Sequence, residues 1–266
     1  MSIYKLANRY IYINMNEQEL DIAWKAFRVF ENQKGLVGEM CDFYFSRFDL
    51  KQFTGDIKIG TTKNCTKVMS SNNHILLTNT DYSIAYVQNS EKDTYNIFLC
   101  YIFYTHAVQR HMLQFHSSLI SHQNSGTMFL GPSGIGKTTQ AELWNQYRDA
   151  LIINGDIVFV QETEKEFLGW GTPWHGSSPY CENTSVPLRA MVVLKQAKEN
   201  SIRELTGFEK VSEVSNHVFY PQWLENGMEL CLETLDHLLT AIPVYELSCR
   251  PDEDAVRLTE ETIFGT

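Results

Sequence analysis

The chain has 266 residues with a hydrophobic content of 43%, which is enough apolar material for a sizeable core in one or two domains. Its formal net charge of −10 argues against nucleic acid as a partner, because binding to a phosphate backbone requires a basic surface. The longest strongly apolar run, residues 97–104, is too short to span a bilayer, so no membrane partner is expected. The six cysteines are scattered without a C-x-x-C pair, which favours reduced thiols and a cytoplasmic protein.

Residues 1–94 are predicted to form a small α+β module. The stretch 4–15 alternates in the manner of a strand, and 74–88 indicates two strands around a turn at Asn79–Asp81. Between them, the segment 17–31 has four apolar side chains at helical spacing, namely Leu20, Trp24, Phe27 and Phe30. The role of this module is not evident from its sequence.

Residues 95–266 are predicted to form the larger, α/β part of the chain. An aromatic segment, 95–114, has the apolar stripes of a buried packing helix, and "FHSSLIS" (115–121) predicts a strand after it. Further strands are predicted at 127–130, 150–160, 188–196, 200–205 and 243–249. Further helices are predicted at 137–147, 206–218, 221–242 and 252–263, with a capping box formed by Thr206 and Glu209.

The segment "GPSGIGKT" (131–138) carries the spacing G-x-x-x-x-G-K-[ST] between an apolar strand and a helix. Glycines allow such a loop to wrap with its backbone N–H groups directed at phosphate oxygens, and the helix N-terminus adds favourable partial charge. We expect Lys137 to reach the β- and γ-phosphates of ATP and Thr138 to offer its hydroxyl to Mg²⁺. The predicted nucleotide-binding residues are Gly131, Ser133, Gly134, Ile135, Gly136, Lys137, Thr138 and Thr139.

A phosphoryl-transfer site also needs a carboxylate for Mg²⁺ and often a base for the incoming nucleophile. Asp156, which follows an apolar stretch, is the candidate for both roles; the alternative is an ordinary aspartate in an "NGD" hairpin turn. His116 lies on the strand predicted beside the glycine-rich segment, and its alternative is a core histidine with satisfied hydrogen bonds. His175 belongs to a Gly-, Pro- and Ser-rich loop, 171–188, that could close over a substrate; its alternative is a solvated loop residue.

The ordered set "FHSSLIS", "GPSGIGKTT", "LIINGD" and "GTPW" resembles the HPr serine kinase/phosphorylase family. More closely, it resembles the HPr-kinase-like proteins of peptide natural-product clusters, some of which phosphorylate a precursor peptide. The resemblance covers about residues 95–250. It implies an α/β fold with a mixed-sheet P-loop kinase core of the type related to phosphoenolpyruvate carboxykinase.

The resemblance also implies roles for individual residues. His116 matches a histidine near the reacting phosphates, Lys137 lies in the nucleotide loop, and Asp156 matches the second member of an Asp-Asp pair. The first member of that pair, which is the base in the HPr enzymes, is replaced here by Gly155. Either Asp156 has both roles, or His116 or another group accepts the proton. The expected catalytic residues are therefore Asp156, His116 and Lys137, and the expected Mg²⁺ ligands are Thr138 and Asp156.

The function expected from these features is an ATP- and Mg²⁺-dependent serine kinase that acts on a peptide or small protein. Two alternatives remain open at this point: a nucleotide-binding regulator without catalysis, and a carboxykinase-like enzyme on a small acid. The identity of the acceptor and the oligomeric state do not follow from the sequence.

Overall fold

The computed structural model describes residues 2–29, 41–48, 60–61, 67–71, 74–88 and 92–265. The chain divides into two compact units, Met1–His106 and Ala107–Thr266. This division lies inside a helix, whereas the sequence places its boundary between residues 94 and 95, and the sequence-based boundary stays a prediction. Both units combine mixed sheets with helices.

The first unit begins with a hairpin of β1 (Ser2–Leu6) and β2 (Arg9–Asn14). Ala7 and Asn8 between them have φ values of 46° and 58°, which is the left-handed backbone that a two-residue type I′ turn requires. The prediction of one continuous strand over 4–15 is therefore wrong. The chain reverses at a turn whose Ala-Asn sequence is not among the usual hairpin signals.

A helix is predicted over 17–31, and the described part of this segment, 17–29, contains two short 3-10 helices, Glu17–Glu19 and Ile22–Phe27. The second of these helices starts after Asp21, which caps it: the Asp21 side chain accepts a hydrogen bond from the Ala23 backbone N–H at 2.9 Å. The apolar positions Leu20, Trp24 and Phe27 are buried as the spacing indicates, and Phe30 lies outside the described residues.

Among the described residues, the first sheet has the order β1-β2-β3-β7-β6-β5-β4. The strands not yet introduced are β3 (Cys41–Phe48), β4 (Gly60–Thr61), β5 (Lys67–Ser71), β6 (His74–Thr78) and β7 (Ile84–Gln88). The antiparallel pair β6 and β7 confirms the two strands predicted around Asn79–Asp81. Helix α1 (Lys92–Val108) confirms the aromatic packing helix, with Phe98 and Phe103 buried. It ends before the predicted residue 114, since His111 has a positive φ and a strand follows it.

In the part of the second unit that the structure describes, a mixed sheet of nine strands is accompanied by four helices. The strands are β8 (Met112–His122), β9 (Ser125–Leu130), β10 (Leu151–Asn154), β11 (Ile157–Glu162), β12 (Phe167–Trp170), β13 (Ser185–Gln196), β14 (Ser201–Leu205), β15 (Val218–Phe219) and β16 (Val244–Cys249). The helices are α2 (Lys137–Arg148), α3 (Gly207–Ser215), α4 (Gly227–Ala241) and α5 (Glu253–Phe264). The mixed α/β class that the sequence predicts is confirmed.

Two helix starts in this unit differ from the prediction. Helix α4 begins at Gly227, not at residue 221, because Asn226 before it has a left-handed backbone. Within the described residues, the Thr206 side chain makes no capping hydrogen bond to α3. Glu209 instead accepts a hydrogen bond from the guanidinium of Arg203 at 2.9 Å, so the predicted capping box is not formed.

The strands that position the candidate site are β9, β13 and β16. Strand β13 pairs in parallel with both β9 and β16, so the three carboxyl ends lie at one edge of the sheet. Phe129, Val192 and Leu247 from these strands pack with Trp144 of α2 and Val256 of α5 in one buried cluster. Crevices outside the carboxyl ends of parallel strands are common ligand-binding positions, and the glycine-rich segment leaves β9 at this edge.

Candidate active site

A glycine-rich loop, residues 131–136, connects β9 to α2, in agreement with the predicted order of strand, loop and helix. Gly131, Gly134 and Gly136 have φ values of 149°, 78° and 115°, a region that side chains disfavour. A Cβ on Gly131 would also lie 2.8 Å from Cγ2 of Ile135. Gly136 precedes the helix without a side chain to cap it, so the first N–H groups of α2 are suited to an anion.

The ammonium group of Lys137 is held by the loop itself. Its Nζ donates hydrogen bonds to the carbonyl oxygens of Gly131 at 3.0 Å and Pro132 at 3.2 Å. Ser118 on β8 fixes the start of the helix by donating to the Lys137 carbonyl at 2.9 Å. Burial lowers the pKa of Lys137, and the nearby negative charge of Asp156 opposes that shift. A buried cation whose partners are neutral carbonyls is in a suitable state to bind phosphate oxygens.

Gly155 and Asp156 lie at a break between β10 and β11, which pair one after the other with the same strand, β8, and do not form a hairpin with each other. Ile152 of β10 pairs with Ile120 of β8, and Ile157 of β11 pairs with His116 further along the same strand. The Asn154 side chain holds this bend, since its Oδ1 accepts the backbone N–H groups of Asp156 at 2.8 Å and Ile157 at 3.0 Å. The hairpin interpretation of "NGD" is therefore wrong. Irregularities of this kind redirect a side chain out of a sheet.

The redirected carboxylate of Asp156 meets His116. Oδ1 of Asp156 lies 3.1 Å from Nε2 of His116, and each side chain keeps about a third of its surface exposed, at 32% and 30%. The backbone N–H of His116 donates to the carbonyl of His217 at 3.0 Å. Burial, followed by the positive charges of Lys137 and His116, lowers the pKa of His217. His116 is thus a partly exposed partner of a carboxylate and not an enclosed core residue.

These side chains line one cavity of about 270 Å³, which we call the loop cavity. Eight of its lining residues come from the sequence-based set: His116, Ser133, Gly134, Gly136, Lys137, Thr138, Thr139 and Asp156. Of the other predicted positions, Gly131 contributes its carbonyl to Lys137, and Ile135 lines a neighbouring cavity. His175, which the sequence left as either a site residue or a solvated one, also lines the loop cavity.

The segment 175–178 forms a wall of the loop cavity and belongs to the loop 171–188, which the sequence analysis considered as a cover for a substrate. A Cβ on Gly176, which has a φ of 59°, would lie 2.7 Å from Oδ2 of Asp156, so this segment crosses directly against the carboxylate. A Cβ on Gly155 would lie 2.0 Å from Oγ of Ser178. Ser178 therefore occupies the space into which a side chain at position 155 would extend. The composition of the loop 171–188 indicated a possible role at the site, but it did not predict the contact between Ser178 and Gly155.

The same segment is anchored on its N-terminal side and is closed by a hydrogen bond within itself. The Thr172 hydroxyl donates to the carbonyl of Ile157 at 2.7 Å, and the Trp174 side chain is buried. His175 Nδ1 forms a short hydrogen bond with the carbonyl of Ser178. These contacts fix the position of the wall relative to Asp156.

Two oxygen donors at this site suit a hard cation. The Thr138 hydroxyl, which donates to the Gly155 carbonyl at 3.3 Å, and the Asp156 carboxylate both line the loop cavity. Within the described ranges, no group of three or more His, Cys, Asp or Glu side chains is placed to hold a metal ion. This donor set fits Mg²⁺, which is commonly bound by one or two carboxylates together with substrate phosphates. It does not fit a structural zinc ion, which needs four protein ligands.

The part of the chain that the structure describes contains no helix long and apolar enough to cross a membrane. A scan against protein-family models found no match, and a search of curated proteins found none either. Among solved structures, the chain is similar to the Hpr(Ser) kinase/phosphatase from Coxiella burnetii, with a TM-score of 0.34 and 10% sequence identity. The alignment covers 57% of this chain and 93% of that chain. A similarity of this size assigns no function to the chain.

Proposed function

We propose that the chain is an ATP- and Mg²⁺-dependent serine kinase that transfers a phosphoryl group to a hydroxyl of a peptide or small protein. The observation that carries this proposal is the meeting of a glycine-rich loop, a buried lysine and a carboxylate–histidine pair in one cavity. Lys137, Asp156 and His116 all line the loop cavity together with the start of α2.

The glycine-rich loop and Lys137 would hold the phosphates. Phosphate oxygens would replace the carbonyls of Gly131 and Pro132 as partners of the Lys137 ammonium, which is already desolvated. A charge–charge contact is stronger in such a water-poor site than in bulk solvent. Mg²⁺ would bind Thr138 and Asp156, and when bound it supplies neutralisation of the charge on the transferred group.

The Asp156–His116 pair would receive the proton of the attacking hydroxyl. The new bond forms between the serine oxygen and the γ-phosphorus, the bond to the β-γ bridging oxygen breaks, and ADP leaves. The Asp156 carboxylate takes the proton, and the 3.1 Å contact with His116 Nε2 fixes the direction of the carboxylate. Because Ser178 fills the space beside Gly155, the proposal assigns no second carboxylate to the reaction.

A peptide is the proposed acceptor because the 175–178 wall offers exposed chain, at Gly176 and Ser177, beside the loop cavity, where an extended substrate could lie. The net charge of −10 suits a neutral or basic peptide better than an acidic one. The hydroxyl of an extended chain would approach the Asp156 carboxylate from within the loop cavity, which Asp156 and this wall both line.

Incubation with γ-labelled Mg-ATP and peptides encoded beside the gene, followed by mass spectrometry, tests the proposal. The expected result is one added phosphate on a peptide serine, lost with Lys137→Ala and retained with Lys165→Ala, which removes an exposed lysine elsewhere. Release of free phosphate alone would contradict the kinase and favour a hydrolase. Nucleotide binding without turnover would favour a regulator.

A further inference from the structure

A second cavity, of about 370 Å³, lies on the other side of the glycine-rich loop. It shares Gly134, Gly136 and Thr139 with the loop cavity, so the two spaces meet at the loop. Ile135 of the loop and Gln140 of α2 also line it, and the rest of its wall comes from the carboxyl ends of the parallel strands β13 and β16 and the residues that follow them. We call it the strand-end cavity.

We infer that the strand-end cavity receives the nucleoside half of a nucleoside triphosphate whose phosphates lie in the loop cavity. The inference rests on the proposed function, because it takes the loop as the phosphate site. A ligand that bridges the two cavities must cross Gly134 and Gly136, where the missing side chains leave the backbone open to it: a Cβ at either position would meet nothing within 4 Å.

The lining of the strand-end cavity suits a flat, largely apolar group. Ile135, Leu194, Ala197 and Pro251 supply apolar surface, and the volume lies in the range of roughly 300–1,000 Å³ that is common for small-molecule sites. The position at the ends of parallel strands is one at which nucleotides bind in many α/β sheets.

The charged groups of this cavity are already paired, which argues against a second phosphate site. Lys195 Nζ lies 3.0 Å from the Glu213 carboxylate, and Arg250 Nε lies 2.9 Å from the Asp252 carboxylate. Asp252 is itself fixed by a hydrogen bond of 2.7 Å from Asn200. A guanidinium held in this way presents a plane on which a nucleobase can stack. The cavity therefore offers a stacking surface with little uncompensated positive charge.

Calorimetric titration with Mg-ATP and with Mg-tripolyphosphate separates the two cavities, since tripolyphosphate lacks the nucleoside. Ala197→Trp fills the strand-end cavity with an indole, and its backbone N–H can still donate to the Cys249 carbonyl. We expect it to weaken ATP binding at least about tenfold, since each 1.4 kcal/mol of lost contact is a factor of ten, and to leave tripolyphosphate binding within about twofold. Lys198→Trp, at an exposed neighbouring position outside the cavity lining, should change neither affinity.

Wild-type affinity for ATP in the folded Ala197→Trp variant would overturn the nucleoside site while leaving the phosphate loop intact. Failure of the unmodified protein to bind either ligand would overturn the proposed function as well. Hydrogen exchange on the unmodified protein gives a test without a variant. Residues 249–251 should be protected by ATP and not by tripolyphosphate, and equal protection by both ligands would overturn the inference.

Discussion

The contact between Gly155 and Ser178 gives the sharpest structural prediction. Gly155 has an ordinary backbone, so alanine is excluded there by space and not by conformation. A Cβ at position 155 would lie 2.0 Å from Oγ and 2.6 Å from Cβ of Ser178. Both distances are far below van der Waals contact, so Gly155→Ala must displace the 175–178 wall.

The size of the effect follows from these distances. Inserting one methyl group into a packed site costs about 1–3 kcal/mol. For an unfolding unit of about 150–250 residues, each kcal/mol of lost stability lowers the melting temperature by about 2–4 °C. The melting temperature of the Gly155→Ala variant should therefore be about 2–12 °C lower than that of the unmodified protein. Because the wall lies against Asp156, turnover should fall with it.

Differential scanning calorimetry on a double-mutant cycle measures this coupling. Ser178→Gly removes both clashing atoms and should restore most of the stability that Gly155→Ala loses, with a coupling energy of about 1–2 kcal/mol. Ser178→Ala is the matched control, since it removes Oγ and keeps the Cβ that lies 2.6 Å from the new methyl group. Additive effects of Gly155→Ala and Ser178→Gly would refute the contact.

Two further predictions concern charge. Asp156→Asn keeps the shape and the 2.8 Å backbone contact with Asn154, so it should leave ATP affinity largely unchanged while lowering kcat about 10²–10⁴-fold; a normal kcat would move the base elsewhere. The second concerns His217, whose pKa in the folded protein is lowered from 6.5 by burial and by nearby positive charges. As the pH falls through 6.5, the His217 side chain therefore takes up a proton more readily in the unfolded chain than in the folded protein, and the folded protein loses stability. His217→Gln should therefore show a smaller fall in melting temperature between pH 7.5 and 5.5 than the unmodified protein, and an identical fall would contradict this assignment.

The elements that the sequence predicted well are those whose signals are local. The glycine-rich loop and α2 form as expected. The loop needs a positive φ at Gly131, Gly134 and Gly136, and glycine is the residue that adopts it most readily, so the sequence itself indicates where the loop bends. Strands β8, β9, β13 and β16 follow from continuous apolar runs, whereas β12 and β15 were not predicted. The turn at Ala7 and Asn8 was missed because alanine seldom adopts a positive φ, and only the pairing of β1 with β2 requires it there.

The candidate site was predictable where one motif contains it and not where distant segments meet. Spacing identified Lys137 and Thr138, but no pattern relates Ser178 to Gly155 or Gly176 to Asp156. Likewise, the strand-end cavity depends on the parallel pairing of β13 with β16, which brings residues 194–197 beside 249–251. Such contacts are properties of the sheet topology and have no signature within either segment.

Binding of Mg-ATP to Lys137 variants tests the central claim most directly. In Lys137→Met the apolar stem remains in its buried position while the ammonium that donates to the Gly131 and Pro132 carbonyls is removed. Isothermal titration calorimetry should show ATP affinity reduced about 100-fold or more in a folded variant, as expected from loss of a contact between a desolvated charge and phosphate worth about 3 kcal/mol. Lys165→Met, at an exposed site, should bind as the unmodified protein does. Equal affinity in the unmodified protein and the folded Lys137→Met variant would contradict the account of this loop as a nucleotide site.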